Sequence, residues 1–221
     1  MSLEELIAQF RIDADDRVLP YLWDDETVAP WFAEAEAEAA IRARLLHESS
    51  NPAICQIAVT AGKSTYPLHK SLHEIDHIAF KPDGDSGRAR VDLVSRGELD
   101  RMHRDWRDRT GPVQYAIQAD TSIRLAFTPE SAGTLFIEGY RVPLTRLGDT
   151  EKLEIHQSHH TKLIHWVLHR AFSVPDSDGF DKGRAAEAER EFSQYFGERP
   201  DSDMRRASTH DVPQHNHSFL V

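Results

Sequence analysis

Residues 72–78 read Leu-His-Glu-Ile-Asp-His-Ile, and two incompatible folds are spelled in them. As a helix, His73 and His77 lie one turn apart on one face with Glu74 beside them. That is the H-E-x-x-H arrangement in which two histidines bind zinc and the carboxylate activates a metal-bound water. As a strand, residues four apart stand ~13 Å apart, beyond the reach of one ion with ~2 Å ligand bonds. Periodicity supports both readings. Leu68, Leu72, Ile75 and Ala79 form a helical stripe opposite the histidines, while Ile75, His77 and Ala79 alternate with Asp76, Ile78 and Phe80. The short span between Pro67 and Pro82 and its β-rich surroundings favour a strand. On the helical reading the chain is a zinc-dependent hydrolase, with Glu98 as a downstream third ligand, and that reading stands as the alternative.

Working outward, short alternating segments fill the middle of the chain. AICQIAV (53–59), STYPL (64–68), VQYAI (113–117), SIRLAF (122–127) and TLFIEGYRV (134–142) are separated by Ala61-Gly62, Asp120-Thr121 and Pro129–Gly133. Segments of 5–9 residues bounded by turn formers predict an antiparallel sheet. Cys55 alternates with Ile57 and Val59, so it is read as a packed residue on a buried strand face. As the sole cysteine it has no intrachain partner. Leu99, Met102 and Trp106 mark a short helix ended by Gly111-Pro112.

Both flanks are helical. Leu3, Leu6, Ile7 and Phe10 make one stripe of an amphipathic helix that breaks at Asp15-Asp16 and Pro20. A second helix carries Trp31, Phe32, Ala35, Ala39, Leu45 and Leu46 on one side, with Glu34, Glu36 and Glu38 expected to face water. Pro30 is harmless there if Thr27 is the N-cap. Leu153, Ile155, Leu163, Ile164, Val167, Leu168, Ala171 and Phe172 predict one long helix ending near Val174-Pro175. Ala185, Ala188, Phe192 and Phe196 predict another, stopped by Gly197. Residues 198–221 lack periodicity until Phe219, Leu220 and Val221, and are read as an extended or disordered tail.

Composition narrows the function. The 221 residues carry a net charge of -11, which argues against gripping a nucleic-acid backbone but suits a surface past which DNA must slide. No apolar run approaches the ~20 residues needed to span a membrane, and the acidic start MSLEELIAQF does not read as a signal peptide. G-x-S-x-G, G-x-x-x-x-G-K and G-x-G-x-x-G are all missing from the sequence. Thirteen histidines make H-E-x-x-H easy to spell by chance. Of His156, His159, His160, His165 and His169, the i, i+4 pairs His156/His160 and His165/His169 fall on separate flanks of the expected long helix, which suits polar and interface contacts.

The order of segments resembles the head-to-tail adaptor (connector) proteins of tailed bacteriophages. YLWDDETVAPWFAEAEAEAAIRARLL (21–46) resembles their aromatic-Trp-acidic entry into an Ala/Glu helix, and PAICQIAVTAGKSTYPL (52–68) their first β-hairpin. LVSRGELDRMHRDWRDRTGPVQYAI (93–117) and SIRLAFTP (122–129) are similar to their short helix and the two strands after it. The most specific piece is HHTKLIHWVLHRAFSVPDSDGFDKGRAAEAEREFSQYFGER (159–199), with its W-x-L-x-R-A-F-S run, spaced aspartates and a helix ending in Phe-Gly. Pro30 inside the second helix and the long polar tail depart from the pattern. In this family the stretch holding LHEIDHI is a strand, and its histidines are not a family feature.

The resemblance implies an α+β structural protein without catalysis or cofactor. Residues 1–50 and 146–197 would form a helical bundle, residues 51–145 an inserted antiparallel β lobe with a short helix, and residues 198–221 an extended C-terminal tail. It implies a homo-oligomeric ring, commonly a dodecamer, under the portal after packaging. That ring would retain the genome and present a surface to a downstream tail protein (nozzle, tube or terminator), with double-stranded DNA passing through its acidic channel unbound. The protein would act at the head–tail junction of the virion, be made in the host cytoplasm and have no membrane partner. Phe219, Leu220 and Val221 are the candidate portal-docking residues. Another tail-assembly component, a terminator or completion protein, is the remaining alternative.

Overall fold

Local capping sets the helix starts. The Ser2 hydroxyl accepts the N–H of Glu5, and the Glu5 carboxylate accepts the N–H of Ser2 at 2.8 Å, a reciprocal capping box. The Asp24 carboxylate accepts the N–H of Thr27 at 2.7 Å. The computed structural model describes residues 1–147, 152–175 and 178–200. In chain order, its first elements are α1 (Leu3–Ala14), α2 (Asp25–Ala43), β1 (His47–Glu48), α3 (Pro52–Cys55), β2 (Gln56–Val59), β3 (Thr65–Pro67) and β4 (Leu72–Pro82). Next come β5 (Ala89–Arg90), β6 (Asp92–Leu93), α4 (Arg96–Met102), β7 (Thr110–Gly111), β8 (Tyr115–Gln118), β9 (Ser122–Leu125), β10 (Thr128–Pro129) and β11 (Gly133–Arg141). A 3-10 turn (Gln157–Lys162), α5 (Leu163–Phe172) and α6 (Lys182–Phe196) follow. This is a mixed α+β protein.

The chain divides into two units. The first holds Met1–Ser49, Lys70–Glu74 and Gly139–Pro200. Its apolar core gathers Phe10 and Leu6 of α1, Phe32 and Ala35 of α2, Leu163 and Val167 of α5, and Phe192 of α6. α5 packs against α1, α2 and α6, so α5 is the helix around which the others gather. β1 pairs antiparallel with the end of β11, His47 opposite Tyr140.

The second unit comprises, among the described residues, Ser50–His69 and Ile75–Glu138. There β2 pairs antiparallel with the first half of β11, and β4 pairs antiparallel with β5. A separate sheet runs β3-β9-β8-β6, antiparallel except that β6 lies parallel to β8; β7 and β10 form a further parallel pair. Trp106, Leu99, Ile117 and Phe127 close the core against this sheet.

Several expectations need correction. Asp24, not Thr27, caps α2, which leaves Pro30 as its sixth residue. There it withholds the N–H that the Glu26 carbonyl would accept. Glu36 and Glu38 do not face water: Glu36 is 1% exposed, because α2 is covered by α1, α5 and α6 on more than one side. Leu45 and Leu46 follow the helix rather than extend it, while still packing on the core. Cys55 is buried as expected, but at the end of the short α3, which Asn51 caps, rather than on a strand. Trp106 lies beyond α4, its indole N–H donating to Asp100 at 2.8 Å. The long helix over 153–172 is in fact a 3-10 turn followed by α5. Glu36 takes the N–H groups of Glu154 and Ile155, and the His156 ring accepts the N–H of Ser158, so the approach is held out of helix.

Candidate partner-binding surface

β4 places LHEIDHI on a strand, as the β-rich surroundings predict. His73 and His77 are therefore four strand residues apart, and one ion cannot bridge them. Glu74 is engaged elsewhere: the Arg44 guanidinium grips its two oxygens at 3.0 and 2.6 Å. Glu98, the alternative's third ligand, is on α4, where its N–H is capped by the Ser95 hydroxyl. The zinc constellation is not assembled by this geometry.

The histidines of residues 156–169 are dispersed into separate contacts. His160 is buried; its Nε2 donates to the Ile155 carbonyl at 3.1 Å, and burial pushes its pKa below the usual imidazole value. His159 meets the Tyr195 hydroxyl at 3.2 Å, and the His169 Nδ1 donates to the Ala185 carbonyl at 3.0 Å. Half-buried His165 is likewise lowered by desolvation. Of the two helical pairs, His165 and His169 do share α5, whereas His156 and His160 belong to the 3-10 turn before it and its cap.

Charge networks fix the backbone at three places that sequence reading missed. Glu36 is the first. Burial raises its pKa, against the N–H groups of Ile155 and Glu154 that hold its charge. Glu154 feels burial too, but there the Arg141 hydrogen bond and the N–H groups of Thr145 and Leu144 prevail, and its pKa falls below the ordinary carboxylate value. Arg141 reaches onward to Glu48 at 3.3 Å.

The second is Arg42, whose Nε donates to Glu38 at 2.8 Å and whose Nη1 donates to Ser193 Oγ at 2.8 Å and to the Gly197 carbonyl at 3.4 Å. It also stacks on Trp166 and Phe192, 5.1 and 5.2 Å from the ring centres. Arg199 reaches Glu38 at 3.6 Å. The end of α6 thus leaves from a fixed point. Phe219, Leu220 and Val221 lie outside the described residues.

The third is buried Arg11, which donates to Asp16 at 2.9 Å, to the Trp23 carbonyl at 3.1 Å and to Asp25, and lies 3.5 Å from the centre of the Tyr21 ring. Asp16 in turn accepts the N–H of Leu22 at 2.9 Å. These bonds define the loop between α1 and α2, in which Trp23 is buried but Val18 and Leu19 point outward, 79% and 73% exposed. Phe180, after α5, is also exposed. It borders a groove of about 620 Å³ that includes Trp166, His169, Phe172 and Ala185.

No group of three or more His, Cys, Asp or Glu side chains among the described residues is placed to hold a metal ion. No described helix is long and apolar enough to cross a membrane. What the geometry offers is a set of rigidly presented surfaces. Compared with families of known proteins, the chain matches one, described as SU10 adaptor protein, over residues 1–214. No curated protein matches it.

Proposed function

Because the chain belongs to the SU10 adaptor protein family, a phage head-to-tail adaptor family, we propose that copies of it assemble into a ring beneath the portal. The ring, a dodecamer, forms after DNA packaging, retains the genome and gives the downstream tail protein its attachment surface. Residues 1–50 and 146–197 supply the helical body, residues 51–145 the inserted lobe and residues 198–221 the tail. The observation that carries this reading is the family match over nearly the whole chain. Charge supports it: the chain's net charge is -11, and residues 1–49 alone hold 12 acidic against 4 basic side chains. An acidic wall repels the DNA backbone, so the duplex passes through the channel without specific binding. The protein works at the head–tail junction of the virion, is made in the host cytoplasm and needs no cofactor.

Phe219, Leu220 and Val221 dock into the portal. An apolar trio at the end of a polar stretch gains from burial against a partner, whose contacts offset the cost of ordering it. The pinned end of α6, held by Arg42, gives that stretch a defined origin. Electron microscopy of the full chain mixed with purified portal rings tests the reading: a second ring stacked on the portal is the expected image. Binding unchanged on truncation after Gly197 would refute the role of the trio alone.

A further inference from the structure

Six of the exposed apolar side chains of the first unit gather at two neighbouring loops. Ile12, Val18, Leu19, Tyr21 and Leu22 belong to the end of α1 and the loop after it, and Phe180 stands beside them. The link is Gly179: a Cβ there would come within 2.3 Å of the Trp23 ring and 2.9 Å of a Leu22 methyl, so the two loops touch. Arg11 holds the backbone of this patch in place, which lowers the ordering cost of binding through it. Its rim is acidic, with Asp13, Asp15, Asp24 and Glu26 exposed against Arg17.

That rim decides what can cover the patch. Two copies meeting through the same face would set acid against acid, an arrangement that like-charge repulsion disfavours. A contact with a different face of the next copy avoids this, and such head-to-tail contacts are the kind that close into rings. The chain is polarised in the way this requires. Residues 1–49 hold 12 acidic and 4 basic side chains, whereas the described residues of the second unit, 50–69 and 75–138, hold 11 acidic and 10 basic. In the second unit, Met102 is the one exposed large apolar side chain among the described residues. Exposed Arg96, Arg101, Arg104 and Arg109 lie on either side of it in the chain, none in an ion pair among the described residues. Asp105 and Asp108 temper this charge, while Arg107 is already paired with Asp100.

We propose that, in the ring, the Val18–Leu22 loop of one copy seats against the Met102 face of the next, with its acidic rim meeting Arg101 and Arg104. This rests on the ring reading and names the contact that builds it.

The test uses the full chain, alone and with portal rings, followed by sedimentation and electron microscopy. Leu19→Asp, the pair Asp13→Arg/Glu26→Arg and the pair Arg101→Glu/Arg104→Glu should each raise the concentration needed for assembly by roughly tenfold or more. Combining both pairs in one chain should restore assembly. Circular dichroism verifies that each variant is folded. Wild-type rings indifferent to both pairs overturn this contact and leave the ring standing. A folded four-site variant that stays defective overturns the pairing of these two faces. A wild-type chain that forms no ring, alone or on portals, overturns the ring and this contact together.

Discussion

Glu36 on α2 accepts the backbone N–H of Glu154 at 2.6 Å, a bond across 118 positions of the chain. The same oxygen accepts the N–H of Ile155 at 3.2 Å. Glu154 then turns its own carboxylate to Arg141 and to the N–H groups of Leu144 and Thr145. One buried carboxylate therefore orders a stretch with no regular hydrogen-bonding partner of its own. Buried N–H groups need such partners, since leaving one unmet costs more than the bond gains on average.

Removing that acceptor should be costly. Glu36→Ala is expected to lower stability by about 1–3 kcal/mol in denaturant unfolding, because the N–H groups of Glu154 and Ile155 lose their acceptor. Glu36→Gln keeps an acceptor oxygen without charge, and it should recover much of the loss.

The two carboxylates also respond to pH with opposite signs. Burial raises the Glu36 pKa above its ordinary 4.5, so its contribution is fullest below 4.5 and is lost as pH rises through the raised value. Glu154 is lowered from 4.5, so its contribution is present above 4.5 and lost as pH falls through the depressed value. Melting curves from acid to neutral pH should show Glu36→Gln gaining on wild type as pH rises through the Glu36 window. Glu154→Gln should instead lose its disadvantage toward acid. An unchanged wild-type-to-Glu36→Gln difference across that range would contradict the assignment.

Arg11 carries a larger stake. Its partner Asp16 is as buried as it is, so Arg11→Met strands a carboxylate away from solvent. The expected loss is about 3–5 kcal/mol, measured by chemical denaturation. The double variant Arg11→Met/Asp16→Leu should lose less than Arg11→Met alone, because the carboxylate then left without Arg11, that of Asp25, is exposed.

How far the sequence could be read follows from where burial is one-sided. α1 and α6 each bury one stripe, and the 3.6-residue spacing of Leu6, Phe10, Phe192 and Phe196 exposes them directly. β4 was legible from its neighbours, not from its own period, which fits helix and strand equally. α2 was not legible in this way because α1, α5 and α6 cover several of its sides, so Glu36 and Glu38 sit where a single stripe assigns water. The run of alanines that permits such close approach, Ala35 and Ala39 above all, was the available signal. The approach to α5 was illegible for a local reason. Its helical period is present, but His156 is extended and its ring takes the N–H of Ser158, so the helical run begins only after it and opens as a 3-10 turn. The Arg11 loop left no trace in spacing either, since its partners are 5, 12 and 14 positions away.

The strand geometry of β4 makes a plain statement about metal. His73→Ala should leave the zinc content of the purified chain unchanged, by elemental analysis. Arg44→Ala should cost more than the ~1 kcal/mol of an exposed pair, because it leaves the Glu74 carboxylate, only 13% exposed, without its guanidinium. Stoichiometric zinc that disappears with His73 would reverse the reading.

Gly179 joins stability to the proposed contact. It approaches Trp23 more closely than any side chain could, so Gly179→Ala must displace either the Trp23 ring or the loop carrying Phe180. Trp23 stacks edge-on with Phe10 and Phe172, each 5.9 Å away, so a moved ring disturbs the core of the first unit. The expected cost is about 1–3 kcal/mol in denaturant unfolding. Because the same side chains position Leu22, the substitution should also weaken assembly at temperatures where the variant is still folded. Leu19→Asp separates the two effects: it alters an exposed side chain, so it should weaken assembly while leaving the unfolding midpoint almost unchanged. If Gly179→Ala lowers stability but leaves assembly at wild-type strength, the loop serves the fold of the first unit and not the contact between copies.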